Sequence, residues 1–297
     1  MMRFMHNQSS IKSALENPKP LFSVEFFPPK NDEGGKKMLA TAAAIQPYNP
    51  DFVSITYGAG GGTRETTMRY AEALQNEFNF KVMPHLTCVG HTKDELLEIL
   101  EDFAVAGFRN VMALRGDPPK GETVFQPVDG GLSYGSDLVS LIKENFPDFS
   151  IGVGGYPEKH PEASDPSTDL AHLQTKVDAG ADFITTQLFF ENQVYFDFVS
   201  SCRKTGICIP ILPGLLPVLS LGQVRRFCTM CDAKLPSQLE TRLEKSAEEN
   251  QPKVGSSWAS NQIIELLENG APGYHIYALN KTKSTLEILE SLGFEKK

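Results

Sequence analysis

The sequence predicts an α/β fold, a single (β/α)8 TIM barrel in which parallel strands alternate with helices. Three observations predict it. Eight short apolar runs alternate with eight helix-like stretches along the chain. The apolar runs are almost continuously hydrophobic, as expected for parallel strands that are covered on both faces. Eight such alternations within 297 residues fit a closed barrel better than an open, doubly wound sheet, which is the alternative architecture.

The first half of the chain contains four strand–helix units. Its predicted strands are "LFSVEFF" (21–27), "DFVSITYG" (51–58), "KVMPHLTC" (81–88) and "NVMALRG" (110–116). They are rich in β-branched and aromatic residues, which favour strands. The helical stretches that follow them are "EGGKKMLATAAAIQ", "TRETTMRYAEALQNEF", "TKDELLEILEDFAVAG" and, after a loop rich in Gly and Pro, "GSDLVSLIKENF". Thr92 and Glu95 have the spacing of a capping box at the start of the third helix.

The second half continues the alternation. Its predicted strands are "SIGVGGYP" (150–157), "FITTQLFF" (183–190), "CIPILPGLL" (208–216) and "GYHIYALN" (273–280). The helical stretches are "STDLAHLQTKVDAG", "NQVYFDFVSSCRKTG", "SLGQVRRFCTM" and "KTKSTLEILESLG". Gly107, Gly180 and Gly206 stand where three of the helices should end.

The same pattern predicts the domain organisation. Residues 1–20 are expected to form an N-terminal extension, and residues 21–297 the barrel. The polar segment 235–254 is expected to form solvated helix and loop between the seventh and eighth strands.

Composition narrows the class of protein. Hydrophobic residues make up 40% of the chain, which is enough for a sizeable core. The 28 basic and 37 acidic residues give a formal net charge of −9, which argues against a general nucleic-acid binder. No apolar run approaches the roughly 18–20 residues of a membrane span, and the N-terminus lacks the apolar core of a signal peptide. We therefore expect a cytoplasmic protein with neither a nucleic-acid nor a membrane partner.

The five cysteines leave two interpretations open. The "CTMC" at 228–231 has the spacing of a zinc knuckle, with Cys202 and Cys208 as further ligands. However, this segment has helical periodicity and lacks the glycine-rich turn of a knuckle. Reduced thiols are the favoured interpretation, and no metal is expected.

Glu25 lies among phenylalanines and valine in "FSVEFFPP", where an ionised carboxylate would lose its solvation. The alternative is an edge strand with Glu25 facing water. Polar and aromatic groups also stand at the ends of other predicted strands, where barrels bind their ligands. They are Thr56-Tyr57-Gly58, His85-Leu86-Thr87, Arg115-Gly116-Asp117, Tyr156, Gln187 and Asn280-Lys281.

Two turns after strands indicate a bound ligand. The glycines of "TYGAGGGTRETT" do not complete a dinucleotide fingerprint, so a glycine loop over a cofactor and a surface loop both remain open. In "ALRGDPP", Arg115 suits a phosphate and Asp117 a cationic or hydrogen-bonding ring, although Asp117 alone also suits a turn. Glu25 and Asp117 as paired carboxylates for glycoside hydrolysis would leave these features unexplained.

Eight motifs in order along the chain resemble the 5,10-methylenetetrahydrofolate reductase family, bacterial type, catalytic barrel only. They are "SVEFFPPK", "FVSITYGAGG", "PHLTC", "ALRGDPP", "YPEKHPEA", "KVDAGADFITTQLFF", "PILPGLLP" and "YHIYALNK", and they extend from about residue 20 to 290. The resemblance implies a barrel that holds FAD, takes hydride from NADH or NADPH, and reduces 5,10-methylenetetrahydrofolate to 5-methyltetrahydrofolate for methionine supply. The two substrates would use one site in turn, a ping-pong pattern.

The resemblance also implies roles for particular residues. Glu25 is the expected general acid on the folate nitrogen, and burial is expected to raise its pKa and keep its proton available near neutral pH. Asp117 would stabilise the developing cation. The residues expected to contact folate are Glu25, Asp117, Gln187, Gln223, Phe227 and Lys281. Those expected to contact FAD are Thr56, Tyr57, Ala59, His85, Arg115, Gly116, Asp117, Tyr134, Gly135, Tyr156, His160, Ala163, Asp169, His172 and Lys176.

Two other functions stay open at this point. A flavin-free folate-binding methyltransferase barrel would need neither the glycine loop nor the Arg115–Asp117 turn. A partner-dependent flavoprotein subunit would hold FAD without oxidising free nicotinamide. The resemblance implies a homo-oligomer, a dimer or tetramer.

Overall fold

The structure, a computed structural model, describes residues 10–57, 64–118, 121, 122 and 124–296. Its strands are β1 (Leu21–Phe26), β2 (Phe52–Ile55), β3 (Val82–Thr87), β4 (Asn110–Leu114), β5 (Ser150–Gly155), β6 (Phe183–Thr186), β7 (Ile211–Leu212), β8 (Gly214–Leu215) and β9 (Gly273–Tyr277). They pair in parallel in the order β7-β6-β5-β4-β3-β2-β1-β9-β8. This is a TIM barrel, as the sequence predicts.

The barrel closes through a broken strand. β7 pairs with β6 and β8 pairs with β9, and only Pro213 separates β7 from β8. Proline has no N–H for a sheet ladder, which accounts for the interruption. Its carbonyl still accepts a hydrogen bond of 2.9 Å from the backbone N–H of His275. β7 and β8 are therefore two parts of the seventh strand, and β9 is the eighth.

Helices surround the strands. They are α1 (Ile11–Leu15), α2 (Asp32–Ile45), α3 (Arg64–Phe78), α4 (Lys93–Val105), α5 (Gly135–Asn145), α6 (Pro166–Asp178), α7 (Asn192–Lys204), α8 (Leu221–Cys231), α9 (Ser237–Glu244), α10 (Gln251–Glu268) and α11 (Thr282–Ser291). None of the helices in the described part of the chain is long and apolar enough to cross a membrane.

Side chains alternate between the two faces of each strand. On β1, Val24 and Phe26 face outward into the main core between strands and helices, whereas Leu21 belongs to a separate apolar cluster inside the barrel. Ser23 and Glu25 share the inward phase of Leu21, because alternate residues of a strand point to one face. The interior is thus apolar at the amino ends of the strands and polar toward their carboxyl ends.

Helix α1 covers the amino-terminal end of the barrel, which we call the floor. Ile11 and Leu15 join the apolar cluster inside the barrel. The first N–H groups of this short helix, which lack partners within it, donate to barrel side chains: Ile11 N to Asn110 Oδ1 at 2.8 Å and Lys12 N to Ser150 Oγ at 3.0 Å. Lys12 also pairs with Asp182 at 2.9 Å. The sequence pattern does not predict this helix, and the division of the chain at residue 20 stays a prediction.

Several local predictions are confirmed. Thr92 and Glu95 form the predicted capping box. Gly107, Gly180 and Gly206 have positive φ just beyond the ends of α4, α6 and α7. Most strands end earlier than their apolar runs suggest, because the last residues of each run turn into loops at the carboxyl-terminal end.

Candidate active site

A cavity of about 550 Å³ opens at the carboxyl ends of the strands, and we call it the mouth cavity. Its base is polar, with Glu25, His85 and Thr185 from three different strands. Its wall includes Phe227 and the exposed Met230 of α8. A concave, mainly apolar pocket with a few convergent polar groups is the usual form of a small-molecule site.

A second cavity of about 390 Å³ adjoins it, and we call it the rim cavity. The two cavities share His160 and Glu162 in their linings. The rim cavity is bounded by Tyr134, which precedes α5, by Gly135 and Ser136 in the first turn of α5, and by Lys176 of α6. Together the cavities form one extended binding space along the carboxyl-terminal face.

Glu25 lies at the base of the mouth cavity with 5% of its surface exposed. Its Oε2 accepts a hydrogen bond from Ser54 Oγ at 3.2 Å, and His275 Nε2 lies 3.5 Å away. His85 Nε2 lies 3.3 Å from the same oxygen, at ion-pair distance, but it is not aligned for a hydrogen bond. Glu25 therefore faces the barrel interior, and the edge-strand alternative is wrong.

The pKa of Glu25 shifts in the opposite direction from the sequence expectation. Burial acts to raise the pKa, since it disfavours the charged carboxylate. The contacts with His275 and His85 outweigh burial and lower the pKa from its ordinary value of 4.5 to about 2. The contacts with the two histidines thus favour the ionised carboxylate.

The turn after β4 brings Asp117 to the edge of the mouth cavity, where it is exposed. Gly116 precedes it with a φ of +89°, and a Cβ there would lie 2.6 Å from Val89 Cγ2. Only glycine fits this turn without a rearrangement. The turn therefore fixes where Asp117 stands relative to the cavity.

Arg115, in the same turn, lines the rim cavity. It forms a bidentate ion pair with Glu162, with nitrogen–oxygen distances of 2.6 and 2.7 Å. Its guanidinium carbon also lies 5.0 Å from the centre of the Phe125 ring. The hydrogen bonds from Arg115 lower the pKa of Glu162. A planar guanidinium suits an anionic group with several oxygens, but here it is already paired with a carboxylate, so a bound anion would take the place of Glu162.

Lys176 supplies a second cationic group to the rim cavity. Its Nζ donates to the carbonyl of Gly154 at 2.9 Å. Burial lowers its pKa to about 8, although the charge of Asp169 opposes the shift. An incoming anion would relieve this cost, since an opposite charge nearby favours the ammonium form.

Two aromatic side chains are oriented by histidines. Tyr57 lines the mouth cavity, and its hydroxyl lies 3.0 Å from His91 Nε2. Burial raises the pKa of Tyr57 to about 12, so it stays a neutral hydroxyl. Tyr156 packs edge-on against His160, with ring centres 4.5 Å apart. Both tyrosines line the mouth cavity and are held in place by a neighbouring histidine.

Sequence comparison matches the family model described as "Methylenetetrahydrofolate reductase" over residues 10–293. The chain belongs to this family. It is 37% identical over 274 residues to 5,10-methylenetetrahydrofolate reductase of Escherichia coli K12, covering 91% of this chain and 90% of that one. The resemblance stated from the sequence motifs is thereby confirmed.

One further relative and one solved structure define the limits of the comparison. The chain is 38% identical over 295 residues to "Methylenetetrahydrofolate reductase (NADH) 1" of Arabidopsis thaliana, covering 95% of this chain and 50% of that one. It thus spans about half the length of the plant relatives that it matches. Among solved structures, a Clostridium thermocellum protein described as binding two copies of 5-methyl-5,6,7,8-tetrahydrofolic acid superposes with a TM-score of 0.63 at 17% identity. Covering 94% of this chain and 96% of that one, it supports the fold.

The structure brings most of the predicted site residues of this family member to the two cavities. Those lining the mouth cavity are Glu25, Thr56, Tyr57, His85, Gly116, Asp117, Tyr156, His160, Gln187 and Phe227. Those lining the rim cavity are Arg115, Tyr134, Gly135, His160, Ala163, Asp169, His172 and Lys176. Their roles toward particular ligands stay predictions.

Two predicted residues in the described part of the chain, Gln223 and Lys281, are not among the residues that line either cavity. Gln223 lies in the first turn of α8, where its Oε1 accepts from the backbone N–H of Leu219 at 2.7 Å. Lys281 is exposed at the start of α11. Ala59 lies outside the described residues.

Sequence reasoning missed several groups at the site. His275 and Tyr277 lie on the inward face of β9, and Ser54 lies between His275 and Glu25. Thr185 is 4% exposed in the base of the mouth cavity, and its hydroxyl has no partner among the described residues. The alternation within "GYHIYALN" was the available signal for His275 and Tyr277, since every second residue of a barrel strand faces inward.

Proposed function

We propose that this protein is a flavin-dependent methylenetetrahydrofolate reductase, which uses NADH or NADPH to convert 5,10-methylenetetrahydrofolate to 5-methyltetrahydrofolate. One observation carries the proposal. A buried carboxylate, Glu25, lies with two histidines at the base of a ring-sized cavity, and an anion-suited cavity adjoins it. Family membership supports the reaction. The folate-binding description of the Clostridium thermocellum protein is in keeping with it.

The rim cavity fits the diphosphate part of FAD. Its cationic groups are Arg115 and Lys176, and the first turn of α5 contributes the positive end of an eleven-residue helix. Gly135 allows the start of α5 to approach the backbone of Arg115, because a Cβ there would lie 3.3 Å from the backbone nitrogen of Arg115. These groups would hold two linked phosphates, and Asp169 and His172 would border the adenosine.

The mouth cavity fits two flat rings, one of the flavin and one of a substrate. Tyr57, His85 and Tyr156 would border the flavin ring, and Gln187 and Phe227 the ring of the nicotinamide or folate. When bound, FAD would accept hydride from the nicotinamide and later give it to the folate carbon, in ping-pong order. Stacking on Phe227 would orient either substrate in the same place.

Glu25 would move the proton of the reaction. A proton held at Oε2 can pass to the folate nitrogen, so that the five-membered ring opens and its carbon becomes an acceptor of hydride. Asp117, exposed at the edge of the cavity, would stabilise the positive charge that develops. Burial of Glu25 keeps bulk water from competing for this proton.

Anaerobic mixing tests the proposal. We expect the purified protein to be yellow, to bleach when NADH or NADPH is added, and to regain its colour when methylenetetrahydrofolate follows. A colourless protein would favour the flavin-free methyltransferase barrel. A yellow protein that does not bleach with either nicotinamide would favour the partner-dependent subunit.

The same preparation tests the remaining expectations. Comparing bleaching rates with NADH and NADPH decides the donor, and sedimentation decides whether the protein is a homo-oligomer. We propose a cytoplasmic enzyme that supplies methyl groups for methionine, which restoration of growth without methionine in a strain lacking this activity would test.

A further inference from the structure

His275 lies beneath Glu25 inside the barrel, with 1% of its surface exposed. Its Nδ1 lies 2.8 Å from Ser23 Oγ. Its Nε2 lies 3.3 Å from Ser54 Oγ and 3.5 Å from Glu25 Oε2. Phe52 stacks on the ring at 5.9 Å with an angle of 15° between the planes. The imidazole is thus held rigidly, with each ring nitrogen next to a serine hydroxyl.

The hydrogen-bond partners of the two serines determine the protonation of this ring. A serine hydroxyl has one hydrogen to donate. Ser23 Oγ donates to the carbonyl of Tyr274 at 3.2 Å, and Ser54 Oγ donates to Glu25 Oε2 at 3.2 Å. In this arrangement each hydroxyl accepts from His275, and the ring carries a hydrogen on both nitrogens, as an imidazolium. In the other arrangement Ser23 donates to Nδ1 at 2.8 Å and the ring is neutral.

The titratable groups around this ring come from three strands. Glu25 on β1 is the carboxylate partner, and His85 on β3 lies 3.3 Å from the same carboxylate oxygen. Tyr277 on β9 packs edge-on against His275 at 5.4 Å, and burial raises its pKa well above the ordinary value, so it stays uncharged. Glu25 is therefore the counter-charge of the imidazolium.

We propose that His275 stores the proton that Glu25 delivers to the substrate, and that Ser54 passes this proton between them. This proposal rests on the function proposed above. His275 is a positioning residue in this scheme, because it acts through Glu25 and does not line the mouth cavity.

The proton transfer conserves every atom and charge. Ser54 gives its own hydrogen to Glu25 Oε2 and takes the hydrogen of His275 Nε2, which leaves a neutral imidazole and a protonated carboxyl. Glu25 then gives its proton to the folate nitrogen and is again a carboxylate. After product leaves, one proton from solvent restores the imidazolium. Each cycle consumes one proton and one hydride, as the reduction requires.

A stored proton extends the pH range of the reaction. An ordinary carboxyl releases its proton near pH ~4.3, whereas an ordinary imidazole keeps it to about pH 6.5. Two coupled groups titrate as a pair. A proton that Ser54 can pass between Glu25 and His275 therefore belongs to the pair, and removal of either partner is expected to change the pH dependence of its delivery.

Nitrogen NMR of the histidine rings tests the stored proton without any turnover. The protein contains six histidines, and the signals of His275 are assigned by their loss in His275→Asn. We expect both ring nitrogens of His275 to be protonated at pH 7 in the intact protein and the second proton to be lost in Glu25→Gln. A ring with a single protonated nitrogen at pH 7 would overturn the proposal.

Separate measurement of the two half-reactions tests the role of the stored proton. In His275→Asn and in Ser54→Ala, we expect the alkaline limit of folate reduction to move about one pH unit or more toward acid. Bleaching by nicotinamide serves as the internal control and should change less than about twofold, because it needs no proton from Glu25.

Three results would contradict this role. They are an equal loss of both half-reactions, an unchanged alkaline limit, and a shift toward higher pH. If His275→Asn does not fold, Ser54→Ala and the NMR of the intact protein still decide. A protein that shows the doubly protonated ring but reduces no folate would refute the proposed function and leave the stored proton established.

Discussion

The floor and the mouth of the barrel are built from the same strands, yet their buried polar groups have different kinds of hydrogen-bond and ion-pair partners. At the floor, Asn110, Ser150 and Asp182 accept from fixed donors: the N–H groups of α1, the backbone N–H of Ile151 and the Lys12 ammonium. At the mouth, Glu25 contacts two histidines. Histidine is the side chain that changes charge near neutral pH.

The contacts at the floor therefore stabilise the fold, whereas those at the mouth suit a binding or reaction site. Floor contacts satisfy backbone donors that would otherwise be buried without partners, so they stabilise the fold. Mouth contacts bring a carboxylate and imidazoles together inside the protein, which costs desolvation energy that a well-packed apolar layer would avoid. On the function proposed above, these groups are retained for the protons that they can exchange, at a cost relative to an apolar layer.

The largest expected effect comes from Glu25→Gln. Glutamine keeps the shape of the side chain and can still accept from Ser54, but it has no acidic proton to deliver. We expect folate reduction to fall about 10²–10⁴-fold, while bleaching by nicotinamide continues. Stopped-flow measurement of each half-reaction checks this.

Glu33→Gln is a matched control, because Glu33 is exposed on α2 and pairs only with Lys37 of the same helix among the described residues. It should leave both half-reactions unchanged. Folate reduction that survives in Glu25→Gln at the original rate would remove Glu25 from the mechanism.

At the floor, Ile11→Ala should have the opposite signature. Ile11 is fully buried against the apolar cluster inside the barrel, and its truncation leaves a cavity. We expect the free energy of unfolding to fall by about 2–4 kcal/mol, measured by urea denaturation, with both half-reactions intact. Ile264→Ala makes the same truncation at a position that is 42% exposed and should cost less than about 1 kcal/mol. Equal losses for the two variants would show that α1 does not seal the floor.

The sequence predicted much of the fold because the signals were local. Each apolar run was long enough to identify a strand, and the spacing of Thr92 and Glu95 identified a helix start. Helix α1 has only five residues, which is too short for a helical period to be visible. The break at Pro213 was not predicted either, because the apolar run 208–216 was interpreted as one continuous strand.

The sequence predicted where the candidate site lies, but not the direction in which the pKa of Glu25 is shifted. The place of Glu25 follows from its own strand, whereas the direction of its pKa shift depends on His275, which is 250 residues away in the chain. Similarly, Arg115 meets Glu162 across 47 residues. Electrostatic partners at such separations follow only from the barrel register, so burial alone could be inferred from the sequence around Glu25.

A smaller effect is expected in the pH dependence of stability, which tests the contacts between Glu25 and the two histidines. The pKa of Glu25 falls from 4.5 to about 2 on folding, so its contribution to stability is present above pH 4.5 and is lost as the pH falls toward 2. This contribution is at most about 3–4 kcal/mol, because a tenfold change in proton affinity corresponds to about 1.4 kcal/mol. We expect the wild-type protein to lose stability more steeply than Glu25→Gln across this window in urea titrations. If the free energy of unfolding falls equally steeply with decreasing pH in both proteins, the histidines do not stabilise the carboxylate.

The smallest expected effect concerns the rim cavity, where Lys176→Met keeps the apolar stem and removes the ammonium. A charge-assisted hydrogen bond contributes about 1.5–3 kcal/mol, so we expect the affinity for FAD to fall about 10–100-fold. Because burial lowers the pKa of Lys176 to about 8, the wild-type affinity should also decrease as the pH rises above 8, and that of the variant should not. Fluorescence titration of the apoprotein with FAD measures both, and Lys283→Met, which removes an exposed ammonium on α11, is the matched control. If FAD binds Lys176→Met with wild-type affinity and the same pH profile, its phosphates do not lie in the rim cavity. Lys176 would then serve the structure of the protein and not the binding of an anion.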